Sequence, residues 1–188
     1  MNLNHQAIHT LLDNNFNSFS AFVRSLPDHR FTASPYGKWS AGQQLDHLIK
    51  STRPVISALG LPKIALRFWG KPTQPSRTYD QLVADYQHLL QGGLPAVKAY
   101  MPGVIYLPQR PTLLHTFAEQ QTQLLSRLQN QTAADLDNYL VPHPSLGKIT
   151  LREALYFTAY HMEHHLNTLR DHEEQSHTWE NQLQQLIY

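Results

Sequence analysis

The sequence predicts an all-α fold, a four-helix bundle with short accessory helices, on three observations. Apolar residues recur at steps of three and four through four long stretches. Period-two alternation of the strand type is missing almost everywhere, and no internal repeat or low-complexity tract interrupts the pattern. Two of the long stretches open on a serine or threonine followed three residues later by a glutamine or glutamate, a helix-start signature. Each such helix must bury one face, and packing four of them together buries all four at once.

The first helix shows Ile8, Leu12, Phe16, Phe19, Val23 and Leu26 on one face, and Pro27 closes it. A polar loop through Ser34, Pro35, Tyr36, Gly37 and Lys38 leads to Trp39. Ser40 and Gln43 then read as a capping box, in which the serine oxygen accepts a free backbone N–H and the glutamine reaches back. The helix they open carries Leu45, Leu48, Ile49 and Thr52, and Pro54 is expected to bend or end it. Residues 60–75, rich in Pro and Gly, read as an excursion packed on the bundle.

Tyr79, Leu82, Val83, Tyr86, Leu89 and Leu90 mark a short amphipathic helix stopped by Gly92-Gly93. Residues 95–111 are expected to be irregular, anchored on the core by Tyr100, Ile105 and Tyr106. The third long helix follows, with Leu114, Phe117, Leu124 and Leu128 as its stripe and Gln121 within it. The segment Pro142-His143-Pro144-Ser145-Leu146-Gly147 reads as a rigid loop. Thr150 with Glu153 makes a second capping box, whose helix is expected to reach about His172, with a separate short helix over residues 179–187.

Composition narrows the functions available. The 188 residues suit one domain spanning 1–188, with 41% hydrophobic and 15% charged residues. A formal net charge of +1, without any Lys/Arg run interleaved with aromatics, gives no reason to expect nucleic acid or an anionic membrane as partner. Cysteine is absent, which excludes disulfides, zinc–thiolate sites and a cysteine nucleophile. The first residues lack the basic-then-apolar order of a signal peptide, and no apolar run reaches the about 20 residues that span a bilayer. The expected compartment is therefore the cytoplasm.

Histidine is the unusual residue, at 12 copies, and Tyr160-His161-Met162-Glu163-His164-His165 concentrates three of them. On a wheel whose apolar face is Leu151, Leu155, Met162, Leu166 and Leu169, His165 lies within roughly 40° of the centre and His161 roughly 80° away. His164 falls roughly 140° away, toward the flank or solvent. His161 and His165, one turn apart, thus point inward together and can grip one metal ion. Such a pair is also common in plain helices. His47 is the obvious third ligand, yet it lies roughly 140° from the Leu45–Leu48–Ile49 face of its own helix, which by pattern alone makes it a flank histidine.

The segment Trp39-Ser40-x6-His47-Leu48 resembles the second-helix signature of the DinB/YfiT-like family of metal-binding four-helix bundles. His143-Pro144-x-Leu146-Gly147-x-Ile149-Thr150-Leu151-Arg152-Glu153, followed by Tyr160-His161-x3-His165, is similar to that family's fourth-helix region. The resemblance implies a three-histidine metal site, one ligand from the second helix and two from the last: by position, His47, His161 and His165. It covers the two motif regions well, and residues 60–111 have no clear counterpart. Two chemistries come with it, transfer reactions that activate a low-molecular-weight thiol on the metal and metal-dependent hydrolysis.

Three neutral imidazoles would leave a divalent ion its full charge and an open position, the pattern of a catalytic metal acting on a small-molecule substrate. All-nitrogen ligation suits zinc, nickel, iron or copper without choosing among them, and zinc or nickel is the expected ion, with iron or copper as alternatives. Asp46 and Glu163 neighbour ligands in sequence, but adjacent helix positions point apart, so neither suits the second shell, and no general base stands out. Tyr36, Trp39, Tyr156 and Tyr160 are either lining for a site mouth or plain core, with core the commoner role of buried aromatics. His143 reads as a loop-fixing residue and His172 as inward but too far along the helix to ligate. His5, His9, His29, His88, His115 and His177 read as surface or satisfied residues, and capping accounts for Ser40 and Thr150. The competing reading is a non-catalytic bundle serving association; a homodimer fits either. A partner for the second nitrogen of His47, with a cleft reaching the histidines, favours the enzyme.

Overall fold

The computed structural model describes residues 2–34, 37–93 and 97–187, with side chains through residue 176. Asn4 caps the first helix by accepting the Ala7 N–H, and α1 (His5–Ser25) buries Ile8, Leu12, Phe16, Phe19 and Val23 as the periodicity predicts. Pro27 ends it and opens a one-turn α2 (Asp28–Thr32) that buries Phe31. The Ser40–Gln43 capping box forms in full at the start of α3 (Ala41–Leu59). Gly42 stands where a side chain could not, because a Cβ there would come within 2.8 Å of Ile105 and 2.9 Å of the Phe31 ring.

Of the two outcomes expected at Pro54, a bend or an end, the end does not occur; α3 runs five residues further. Proline removes one N–H and strains one turn. Beyond it Ile56, Ala58 and Leu59 are buried, and Arg127 donates to the Ile56 carbonyl at 2.5 Å. Tertiary packing thus offsets the local cost.

The excursion of residues 60–75 holds α4 (Lys63–Leu66) and a 3-10 turn at Arg67–Trp69. Leu66 is buried and Trp69 packs on the core, whereas Ile64 and Phe68 stand 72% and 90% exposed. A capping box between Thr78 and Gln81 opens α5 (Tyr79–Gln91), and Gly92 and Gly93 stop it as expected. Tyr100 and Ile105 lie against the bundle, but Tyr106 is 65% exposed and anchors nothing. The third long helix is α6 (Arg110–Gln129), followed by a short α7 (Ala133–Asn138).

The predicted rigid loop is part of a small antiparallel hairpin, β1 (Leu140–His143) with β2 (Gly147–Thr150), paired Leu140↔Thr150 through His143↔Gly147. It escapes the sequence because each strand has four residues and places one apolar side chain, Val141 or Ile149, inward. Pro142 is tolerated because both strands are edges. Gly147 takes a φ of 72°, which closes the turn. The second capping box forms between Thr150 and Glu153, and α8 (Leu151–Ile187) follows.

One helix therefore replaces the expected long and short pair at the C-terminus. Residues 171–176 hold neither Gly nor Pro, so nothing breaks the helix, and they are exposed or half-buried. The apolar stripe fades there because that stretch has little to pack against.

The four long helices form a square, with α1 and α3 diagonal and each flanked by α6 and α8. Phe117 of α6 sits between Phe16 and Phe19 of α1 at ring separations of 4.7 and 5.5 Å. Helix α5 lies against α8. Because α3 packs on both α6 and α8, its buried surface is wider than a single apolar stripe, and this brings His47 inside. Among the described residues, no helix is long and apolar enough to cross a membrane.

Candidate metal centre

His47 comes from the second turn of α3, and His161 and His165 from successive turns of α8. All three are buried, and one nitrogen of each lies within 4.8 Å of the others. The Nε2 of His161 is 3.1 Å from His47 Nε2 and 3.1 Å from His165 Nε2. The three imidazoles converge through Nε2, and no other group of three or more His, Cys, Asp or Glu does so among the described residues.

The second nitrogens determine what faces the centre. His47 Nδ1 lies 2.8 Å from the Tyr100 carbonyl oxygen, which only accepts, so Nδ1 carries the proton. Gln44 donates its amide to the Trp39 carbonyl, which turns its oxygen toward His165 Nδ1 at 2.9 Å. The Ser51 hydroxyl donates to the Leu48 carbonyl, leaving its oxygen to accept from His161 Nδ1 at 3.4 Å. Each imidazole is thus a neutral Nδ1–H tautomer, assigned from its partners, and three Nε2 lone pairs face one another.

Lone pairs so close repel unless a cation lies between them. A tetrahedral ion with bonds of about 2.0–2.1 Å spaces its nitrogen ligands about 3.3 Å apart, close to the spacing here. The residues therefore fit a divalent ion, and these three buried histidines could hold one. Burial acts in the same direction. It holds His161 and His165 well below the ordinary histidine pKa of 6.5, and lowers His47 against the opposing pull of the Tyr100 carbonyl and Asp46. Neutral imidazole is the ligating form.

The lineage follows from a comparison of the whole chain. A model of the DinB superfamily matches residues 11–169. The chain belongs to the DinB superfamily. No curated protein matches it. The matched range includes all three histidines, their second partners and the hairpin, so the DinB resemblance read from two short motifs extends over most of the bundle.

A cavity of about 440 Å³ opens beside the centre, and His47, His161 and His165 form one of its walls. Trp39 belongs to that wall, 4.9 Å from the His47 ring and parallel to His165 at 6.4 Å. Phe157 stacks on His161 at 4.9 Å. Of the other aromatics proposed for the mouth, Tyr156 is fully buried core and accepts the Leu3 N–H, while Tyr160 accepts from Gln87 away from the lining. Tyr36 lies outside the described residues.

His164, expected toward the flank or solvent, is half-buried and lines the cavity. His143 fixes its loop by accepting the Ser145 and Leu146 N–H groups through Nδ1, at 3.2 and 3.1 Å, and it also lines the cavity. Burial, with Arg77 adding to it, lowers His143 to about 4. His172 takes no part in the cluster, and His5 is satisfied by the Leu128 carbonyl. Asp46 pairs with Lys50, and Glu163 accepts from Tyr79, so neither touches a ligand imidazole.

Sequence reasoning missed the second partners. Gln44 and Ser51 sit three before and four after His47, a polar stripe at helical spacing that a search for apolar faces passes over. The third partner is a backbone carbonyl, for which residue type carries no signal.

Proposed function

We propose that this DinB-superfamily chain is a metal-dependent enzyme acting on a small molecule, of thiol-transferase or hydrolase type. His47, His161 and His165 hold a divalent ion through Nε2, zinc or nickel by preference. The observation that carries the reading is the triplet of convergent Nε2 lone pairs, each fixed by a committed Nδ1–H. A bound divalent ion supplies Lewis acidity, lowering the pKa of a ligated thiol or water or polarising a carbonyl.

The chain's own residues do the rest. Tyr100, Ser51 and Gln44 accept only from neutral Nδ1–H groups and bring no carboxylate, so the cluster adds no negative charge of its own. Trp39 and Phe157 cover the imidazoles and restrict water. The cavity reaches all three imidazoles, and a closed structural site would lack such an opening. No carboxylate lines it among the described residues, so His143, His164 or a ligand's own group is left to move protons. The competing reading, a non-catalytic association module, draws support from that missing base and from the exposed Ile64 and Phe68.

Elemental mass spectrometry tests the centre. Purified wild type should carry near one equivalent of metal, and His161→Ala and His165→Ala should each lose it. Wild type that stays metal-free after incubation with zinc or nickel removes the chemical basis of the enzyme reading.

A further inference from the structure

We infer that the cavity beside the three histidines selects an uncharged, largely apolar molecule, an aromatic or aliphatic body whose one donor atom reaches the imidazole wall. The inference deepens the proposed function and rests on the same cavity being the substrate's place. About 440 Å³ is the size of a small-ligand site. Away from the histidine wall the lining is mainly apolar, with Val55, Ala58, Leu61, Leu90, Val141 and Phe157 as its main surfaces, and its polar groups, such as Ser57 and Ser145, are uncharged. Among the described residues no Lys, Arg, Asp or Glu lines it.

Two lysines close to lining residues are engaged elsewhere. Lys148 donates to the Trp69 carbonyl at 2.8 Å, and Lys50 engages Asp46 and the Met101 carbonyl. A ligand carboxylate, phosphate or ammonium placed among these walls would lose its hydration without gaining an opposite charge from a lining side chain. An apolar body loses nothing and gains contact with Trp39, Phe157 and Leu90. A thiol whose remainder carries charged groups would have to leave them outside the mouth.

A matched pair of dyes tests this on the full chain with a chelator present, so that metal plays no part. N-phenyl-1-naphthylamine is neutral, and 8-anilino-1-naphthalenesulfonate keeps the same skeleton with an added anion. The neutral dye should bind saturably, quenching tryptophan emission through Trp39 and Trp69, at least about tenfold tighter than the sulfonate. Val55→Glu on α3 and Leu90→Arg on α5 should each weaken the neutral dye at least about tenfold. With the two variants on different helices, misfolding of one leaves the other informative. No saturable binding of the neutral dye, sulfonate binding as tight or tighter, or neutral-dye binding unchanged in both folded variants would overturn the inference. Metal content is read separately, so a chain that takes the dye but no metal sinks the enzyme reading alone, and one that takes metal but no dye sinks the cavity's selectivity alone.

Discussion

Which nitrogen of each imidazole keeps its proton is decided by three neighbours that are not ligands. Two of these, Gln44 and Ser51, act through side chains fixed by a second bond. Gln44 makes the shorter contact with its histidine. Its amide is oriented by the Trp39 carbonyl, and its oxygen holds His165 in the Nδ1–H tautomer. Gln44→Leu keeps the bulk of this buried residue and removes the acceptor. Metal affinity should fall about 10–100-fold, the usual effect of losing such a partner, with the helical far-UV signal unchanged. Competition against a chromophoric chelator measures it, and unchanged affinity would mean that His165 needs no orienter. At this scale the sequence is half legible. The positions of His161 and His165 follow from an apolar wheel, because α8 buries one broad face containing both. His47 does not, because α3 buries two faces and only one is apolar. It enters through the Trp39-Ser40-x6-His47 resemblance alone.

Between elements, the hairpin and the start of α8 are held by charge as well as by the buried Val141, Ile149, Leu151 and Leu155. Arg152, 4% exposed at the head of α8, makes a two-bond contact with Asp137 of α7 at 2.6 and 2.8 Å and also donates to the Leu3 carbonyl. Glu153 beside it closes the capping box and accepts from the Arg77 side chain at 2.9 Å. Asp137→Asn leaves a buried guanidinium with a weaker partner and should cost about 2–3 kcal/mol, measured by urea unfolding. The Arg152 hydrogen bond holds the Asp137 carboxyl below its ordinary 3.8, so the pair's contribution is present above pH 3.8 and lost as pH falls beneath it. The capping boxes that start α3 and α8 were legible because each is a local pattern of two residues. The hairpin was not, since its strands are too short to show alternation, nor was the passage of α3 through Pro54, which depends on contacts with α6 that only the fold supplies.

For the molecule as a whole, burying several histidines at one wall makes stability depend on pH in the metal-free state. His143, His161, His165, His47 and His164 all titrate below the ordinary 6.5, burial being the largest cause for each. A histidine lowered by folding binds its proton more weakly folded than unfolded, so below pH 6.5 the unfolded chain takes up protons that the folded chain refuses. Stability is therefore complete above pH 6.5 and declines as pH falls, and for His143 the loss continues until about pH 4. The lowered carboxyl of Asp137 acts only below 3.8, outside this window. Thermal melts in chelator from pH 7.5 to 4.5 should show a steadily falling midpoint. His143→Asn keeps an acceptor for the Ser145 and Leu146 N–H groups while removing the titrating ring, so its decline should be shallower. A midpoint flat between pH 6.5 and 4.5 would mean that these rings are not buried neutral, and the convergence of lone pairs would lose its electrostatic basis. A bound metal should oppose the decline, because a ligand that binds only the folded state stabilises it in proportion to its occupancy. The gap between melts with and without metal should accordingly be widest near neutral pH and narrow as protons displace the ion from the three imidazoles.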